Sequence, residues 1–243
     1  MKRSLFILLL IVSFLHTSQN WGDNVKGVNY KFDTPKKQIA LTFDACGGSK
    51  KSNGIDEKLF DFLIDQNISA TIFVSSKWIN ANSEFFLKIS KVENFDIQNH
   101  GTRHVPLSID GKSIYGIKGT SSQLEIIEEI MNNKNKIFEL TNKNPIFFRS
   151  GTAFYDEESI KIAKSLGVKI VGFTIAADAG ATLSQTQILD NLKNAKPGAI
   201  ILGHINHPES ACALGFITGI KYLKKQGFEF VKLSEVGPSL QEY

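Results

Sequence analysis

Short apolar runs alternate with amphipathic stretches along most of this chain, and glycines fall between them. Residues 39–43 have the length and composition of a buried strand. Gly47 and Gly48 end it, because glycine permits backbone angles that stop regular pairing. Asp44 therefore falls at the C-terminal tip of a buried strand, where α/β folds place their chemistry. Residues 55–66 carry Leu59, Phe60, Phe62 and Leu63 at helical spacing. Residues 69–74 predict a second buried strand, and residues 83–90 a short helix capped by Asn82 or Ser83. A third strand, 94–98, delivers Asn99 and His100 at its end. After a loop over 101–119, the spacing predicts a long helix over 121–140. Its apolar residues are Leu124, Ile127, Met131, Ile137, Phe138 and Leu140.

The second half repeats the pattern. A short strand at 146–148 ends at Arg149, and a helix at 156–166 is closed by Gly167 in the left-handed cap position. A strand at 168–175 runs into Asp178. A helix at 184–194, a strand at 199–202 ending at His204, a helix at 213–226 and a last strand at 228–231 follow. Strand and helix alternate about seven times, which argues α/β with a parallel sheet. Alternation alone leaves a closed barrel and an open doubly wound sheet as rivals. Residues 20–37 hold few apolar side chains and read as an irregular lead-in.

The N-terminus changes the setting. Residues 5–15 are an almost unbroken apolar run behind Met1-Lys2-Arg3. A spanning helix needs about 20 apolar residues, so the run predicts a secretory signal at residues 1–18, with cleavage near Ser18. An uncleaved N-terminal anchor is the alternative. The expected organisation is a signal at 1–18, a lead-in at 19–36 and one catalytic domain at 37–238, in a secreted or periplasmic protein. No later run reaches spanning length, so no stable membrane span is expected after cleavage. Lysines are scattered, and no basic stripe with interleaved aromatics points to nucleic acid. Cys46 and Cys212 are the two cysteines. In an oxidising compartment an even pair is a disulfide candidate. Both follow strand ends on the same face, so a Cys46–Cys212 disulfide is expected. Two free thiols, or Cys46 as a metal ligand, are the competing readings.

Polar side chains collect at the strand tips: Asp44, His100 with His104, Arg149, Asp178 and His204. His100 and His104 are four apart, and on one helical turn both rings would share a face. Imidazole pairs suit a divalent ion, zinc first, with cobalt or nickel possible. His204 has a reference pKa of ~6.5 and is a candidate general acid, with Asp178 able to orient its ring. Arg149 is the simplest partner for Asp44, and an adjacent arginine depresses an aspartate's pKa. Asp44 as base, His204 as acid and a metal polarising an acyl oxygen make a coherent hydrolase of an amide or ester.

These residues resemble a known family. Ile39-Ala-Leu-Thr-Phe-Asp44 followed by a glycine turn resembles the first motif of the polysaccharide deacetylases, carbohydrate esterase family 4 with its NodB-homology domain. Asp96-Ile-Gln-Asn-His100-Gly-Thr-Arg-His104 resembles the second, metal-binding motif, and Phe147-Phe148-Arg149-Ser-Gly-Thr152 the third. Residues 172–178 and 196–204 resemble the fourth and fifth, and residues 228–235 the closing strand. The motifs stand in family order over roughly residues 37–236. The resemblance implies a distorted (β/α) barrel, commonly of seven strands. It also implies removal of N-acetyl groups from amino sugars of an envelope polysaccharide, peptidoglycan being the leading guess. On that pattern Asp44 is the base, His204 the acid, and Arg149 and Asp178 their respective partners. His100 and His104 hold the metal, and the backbone N–H of Thr152 serves the oxyanion.

Three positions depart from the pattern. The family usually carries a second aspartate, a metal ligand, where this chain has Ala45. Asp44 binding the metal itself, substitution by Cys46 or Asn99, and a weakly held or absent metal all stay open. Ser150-Gly151-Thr152 stands where prolines and a tyrosine are common, and Ala179 where an aromatic residue often follows. A catalytically weak glycan-binding relative, or an esterase or other amidase on the same fold, are the alternatives.

Overall fold

The longest strand forms where the sequence is most apolar. Gln38–Ala45 is buried at every residue after Gln38, and it runs through the middle of the molecule. The structure, a computed structural model, describes residues 20–243. The proposed signal at 1–18 lies outside the described residues.

The chain runs β1 (Trp21–Gly22), β2 (Asn29–Phe32), β3 (Gln38–Ala45), α1 (Glu57–Asp65), β4 (Ala70–Val74), α2 (Ser76–Ala81), α3 (Ser83–Ile89) and β5 (Phe95–Asn99). A small hairpin of β6 (Ser113–Ile114) and β7 (Ile117–Lys118) precedes α4 (Gln123–Thr141), β8 (Phe147–Phe148), β9 (Tyr155–Asp156) and α5 (Glu157–Ser165). Then come β10 (Lys169–Ile170), β11 (Ile175–Ala176), α6 (Gln185–Lys193), β12 (Ile200–His204), α7 (Cys212–Lys225) and β13 (Glu229–Phe230). The chain closes with α8 (Leu233–Val236), a 3-10 turn and β14 (Leu240–Glu242).

The main sheet has the order β10-β8-β5-β4-β3-β12-β11, with β13 added on β3. Every pairing in it is parallel. The fold is therefore α/β, a distorted (β/α) barrel with seven parallel strands in its ring.

The expected single strand at 168–175 is instead two. Lys169–Ile170 pairs with β8 at one edge of the sheet, and Ile175–Ala176 pairs with β12 at the other. One stretch of chain thus joins both edges, and this is what curls the sheet into a barrel. The lead-in fills the gap it spans. Asn29 bridges to Val171, its side chain donates to Ile170 O (2.8 Å), and Gly172 N–H donates to Asn29 O (2.8 Å). The lead-in is accordingly not irregular, since Val25, Val28 and Phe32 are buried and β2 pairs antiparallel with β14.

Alternation along β3 sorts its side chains. Ile39, Leu41, Phe43 and Ala45 belong to the large apolar cluster shared with the helices α1, α2, α6 and α7. Ala40 joins Phe32, Phe73, Phe147, Val171 and Ile200 inside the barrel. Thr42 and Asp44 continue that inner face, and both contact Arg149. The barrel therefore has an apolar floor and a polar top.

Two helices differ from expectation. Ser75 caps α2, an element the pattern did not single out, by accepting Trp78 N–H (3.1 Å), and Trp78 is fully buried. In α4 the buried stripe is Ile126, Glu129, Ile130, Asn133 and Ile137, whereas Leu124, Phe138 and Leu140 are exposed. The predicted apolar face was rotated, because two polar residues occupy the inner side.

Candidate active site

Asp44 and His204 are register partners on β3 and β12, so neighbouring strand tips place them side by side. Asp44 is buried and bound by Arg149 Nη1 at 2.9 Å. Arg149 is fully buried too. Nη1 also donates to Thr42 Oγ1 (3.0 Å), Nε to Val171 O (3.2 Å) and Nη2 to Gly172 O (2.9 Å), with the guanidinium 4.4 Å from the Phe73 ring centre. The carbonyls come from the segment that closes the barrel, so closure and the anchoring of Asp44 are one feature. Burial alone would raise the Asp44 pKa, but His100 and Arg149 beside it hold it below the usual carboxylate value.

His204 is held from the other side. Its Nδ1 lies 2.9 Å from Asp178 Oδ1, and Asp178 Oδ2 accepts the His204 backbone N–H (2.6 Å). Nε2 is the nitrogen left for chemistry. Burial opposes charge on this ring, yet Asp178 overrides it and the pKa stands well above the ordinary histidine value. Asp178 is itself held low, its burial outweighed by His204.

The predicted disulfide does not form. Both cysteines are free. Cys212 opens α7 and its thiol donates to Asp178 Oδ2 (3.2 Å), where burial raises its pKa. It supports the carboxylate behind His204. Cys46 faces the other way, with Sγ 3.7 Å from His100 Nε2. Burial would raise its pKa, but His104 and His204 lower it to about 7.

His100 and His104 do come together, although not on a helix. His100 follows β5, and His104 sits in a loop in the left-handed conformation (φ 59°). Their rings meet edge to face with centres 4.7 Å apart. His100 Nδ1 donates to Arg149 O (2.8 Å), which presents Nε2 to the site as a metal ligand requires. His104 Nε2 is buried and has no hydrogen-bond partner among the described residues. Ligand atoms of Cys46, His100 and His104 all lie within 4.8 Å of one another. Such an orphaned imidazole nitrogen inside a sulfur and nitrogen cluster fits a divalent metal. Asp44 is not a member of that cluster, though its Oδ2 is 3.5 Å from His100 Nε2. Asn99 is otherwise engaged: it donates to Ile130 O and accepts from Gly101 N–H and Asn133 Nδ2.

The Thr152 loop packs directly on His104. A Cβ on Gly151 would lie 2.4 Å from the His104 carbonyl carbon. Ser150 N–H donates to Tyr155 Oη (3.0 Å), and Ala153 N–H closes the turn onto Ser150 O (3.0 Å). Thr152 Oγ1 accepts the Phe154 N–H (3.4 Å).

Sequence reasoning missed the supports. Glu129 is buried and accepts the backbone N–H groups of Arg103 (2.9 Å) and Val105 (3.4 Å), which shapes the loop carrying His104. Asn133 donates to Val74 O and Asn99 Oδ1 (both 2.7 Å), locking β4 and β5 at their tips. The signal was present: Glu129 and Asn133 are four apart, in phase with Ile126, Ile130 and Ile137.

A family profile described as polysaccharide deacetylase matches residues 31–171. The peptidoglycan-N-acetylmuramic acid deacetylase PdaA of Bacillus subtilis is 26% identical over 212 residues, 85% of this chain and 74% of that protein. Its solved structure, a family 4 carbohydrate esterase, superposes with a TM-score of 0.70 over 87% of this chain and 85% of that one, at 25% identity. A peptidoglycan-N-acetylglucosamine deacetylase of Bacillus cereus is 28% identical over 219 residues, 86% of this chain and 92% of that protein. The fold is also that of BA3943, described as a family 4 pseudoenzyme from Bacillus anthracis. Its TM-score is 0.70 at 23% identity, covering 85% of this chain and 67% of that one.

Proposed function

Because this chain belongs to the polysaccharide deacetylase family, hydrolases acting on non-peptide C–N bonds, we propose that it is an exported, metal-dependent N-deacetylase of amino sugars in an envelope polysaccharide. Peptidoglycan is the substrate we favour, as the relatives from Bacillus subtilis and Bacillus cereus are named for it. A polymer outside the cytoplasmic membrane agrees with a signal at residues 1–18.

The observation that carries this reading is the opposed tuning of two neighbours. Asp44 and His204 are register partners on adjoining strands, each held by a buried partner of opposite charge, Arg149 and Asp178; Asp44 is lowered and His204 raised, the pattern expected of a base and an acid. Asp44 accepts a proton from water as the oxygen attacks the acetyl carbon. The oxyanion that forms is met by the Thr152 N–H. His204 gives the Nε2 proton to the sugar nitrogen as the C–N bond breaks, leaving acetate and a free amine. Asp178 holds the His204 ring, and Arg149 holds Asp44. A divalent metal, zinc being the best match, would be held by His100 and His104 with a third donor. Bound there, it would polarise the acyl oxygen and acidify the attacking water.

An aromatic cluster follows the Thr152 turn. Phe154, two residues past Thr152, packs against Trp21 (5.7 Å between ring centres) and Tyr115 (5.8 Å), and Tyr115 is 75% exposed. This aromatic ridge supplies stacking for a sugar that Ala179 does not.

The test is acetate release from N-acetylated glycans, with and without chelator, in wild type and Asp44→Asn. Release that chelator abolishes and the variant lowers by about 10²–10⁴-fold supports the reading. Ala45 favours a second reading, a catalytically weak glycan binder. No acetate from any glycan, with glycan binding preserved, would establish it over the first.

A further inference from the structure

We infer that Cys46, as a thiolate, is the third protein ligand of the metal, in the role the family gives to the aspartate that Ala45 replaces. The inference rests on the metal-dependent reading above.

Position along β3 is the first argument. Ala45 is fully buried in the apolar cluster with Ile39, Leu41 and Phe43, on the side facing the helices. Side chains alternate along a strand, so Thr42 and Asp44 face inward, and Cys46, the first residue past the end of β3, brings its Sγ to 3.7 Å from His100 Nε2. Cys46 is the next side chain after Asp44 to lie beside the histidine pair. Its backbone is fixed there by a hydrogen bond from Ser75 Oγ to Cys46 O. The following turn is pinned too, because a Cβ on Gly47 would lie 2.3 Å from Trp78 N.

Distance is the second. Zinc bonds sulfur at ~2.3 Å and nitrogen at ~2.0–2.1 Å, so two such ligands at a tetrahedral angle stand about 3.6 Å apart. Cys46 Sγ and His100 Nε2 are 3.7 Å apart. His104 Nε2, buried without a partner, completes a set of one sulfur and two nitrogens.

The donors are the third. Three protein ligands leave a fourth position open, which is the arrangement of catalytic rather than structural zinc. A thiolate carries the same formal charge as a carboxylate, so replacing one by the other keeps the charge of the site. It is a softer donor and turns selectivity towards zinc and cobalt and away from magnesium and manganese. Asp44 then needs no second role and remains with Arg149.

Cobalt titration of the metal-free protein reads this directly. Wild type should show visible bands of tetrahedral cobalt together with a thiolate-to-cobalt charge-transfer band in the near ultraviolet. Cys212→Ser should keep both. Cys46→Ser should lose the charge-transfer band and bind zinc at least about 100-fold more weakly, beyond the ~10–100-fold typical of removing a supporting partner. Cys46→Asp, which restores a ligand of the family's own kind, should bind cobalt tightly without the charge-transfer band and guards against misfolding of the serine variant. Tetrahedral bands with no charge transfer in wild type would overturn the inference while leaving a metal enzyme. Absence of cobalt binding altogether would overturn both. A charge-transfer band that persists in Cys46→Ser would place the thiolate elsewhere and overturn the inference alone.

Discussion

Replacing Arg149 with methionine keeps much of the aliphatic stem and removes the cation. The side chain is fully buried and makes four hydrogen bonds, one of them to the buried carboxylate of Asp44. Removing one partner of a buried ion pair typically costs about 3–5 kcal/mol, because the other charge is left uncompensated. The carbonyls of Val171 and Gly172 lose their donors as well, and each buried unsatisfied group costs about 1–3 kcal/mol. A loss of at least about 3 kcal/mol at pH 7 is therefore expected, measurable by chemical denaturation. The pH dependence identifies the source. In wild type the Asp44 pKa is lowered, so its stabilisation is present above the unfolded value of ~3.9 and is lost as pH falls through the folded value. In the variant burial is opposed by His100 and His204 alone, so the pKa rises from its wild-type position and protonation on acidification relieves part of the penalty. The stability gap between the two proteins should narrow from pH 7 towards pH 4. A gap under about 1 kcal/mol at pH 7, the scale of an exposed pair, would refute burial of an uncompensated charge. A gap that stays constant with pH would show that the Asp44 charge is not what Arg149 holds.

Two other substitutions probe the remaining supports. Asp178→Asn removes the charge that keeps the His204 ring protonated, so burial should take its pKa below ~6.5. The alkaline limb of the pH–rate profile should then move to lower pH. The part of stability that His204 contributes below its unfolded pKa, and loses as pH rises through its raised folded value, should shrink in step. An unmoved limb would remove His204 as the acid. Gly151→Ala drives a methyl group into the His104 backbone, a contact that cannot yield by rotation of a side chain. It should cost about 1–3 kcal/mol of stability and displace His104, with a loss of zinc affinity of tenfold or more by competition with a chelating dye. Unchanged affinity would show that His104 is not a ligand.

Much of the architecture was legible because it is written locally. The apolar runs at 39–43, 69–74, 94–98 and 199–202 each became a barrel strand, and Asp44, His100 and His204 stand at or just past the tips of three of them. What was not legible depends on partners far away in sequence. Nothing within 168–175 says that its two ends pair with opposite edges of one sheet. The apolar count in α4 pointed to Leu124, Phe138 and Leu140, whereas burial follows the loops that Glu129 and Asn133 must hold. An even pair of cysteines suggested a bond, but each thiol answers to a different neighbour, Cys46 to the histidine pair and Cys212 to Asp178. His100 and His104 meet as the spacing suggested, but from a strand end and a loop rather than on one helical turn, with Gly151 and Glu129 shaping that loop.

The pairing of β3 with β12 also has a consequence in time. β4 reaches one edge of β3 soon after it is made, but the other edge waits for residues 200–204. Until then a long apolar strand keeps a row of unpaired amides and carbonyls, the kind of edge that recruits other chains. Contacts between such distant segments carry a large loop-closure entropy and form slowly. Asp44 on β3 and His204 on β12 can therefore meet only once the second half of the chain has paired, and amide protection along β3 should appear together with that along β12 rather than with its neighbour in sequence. An incomplete chain can hold Asp44, both site histidines of the first half and Arg149, and still lack the strand that makes them a site.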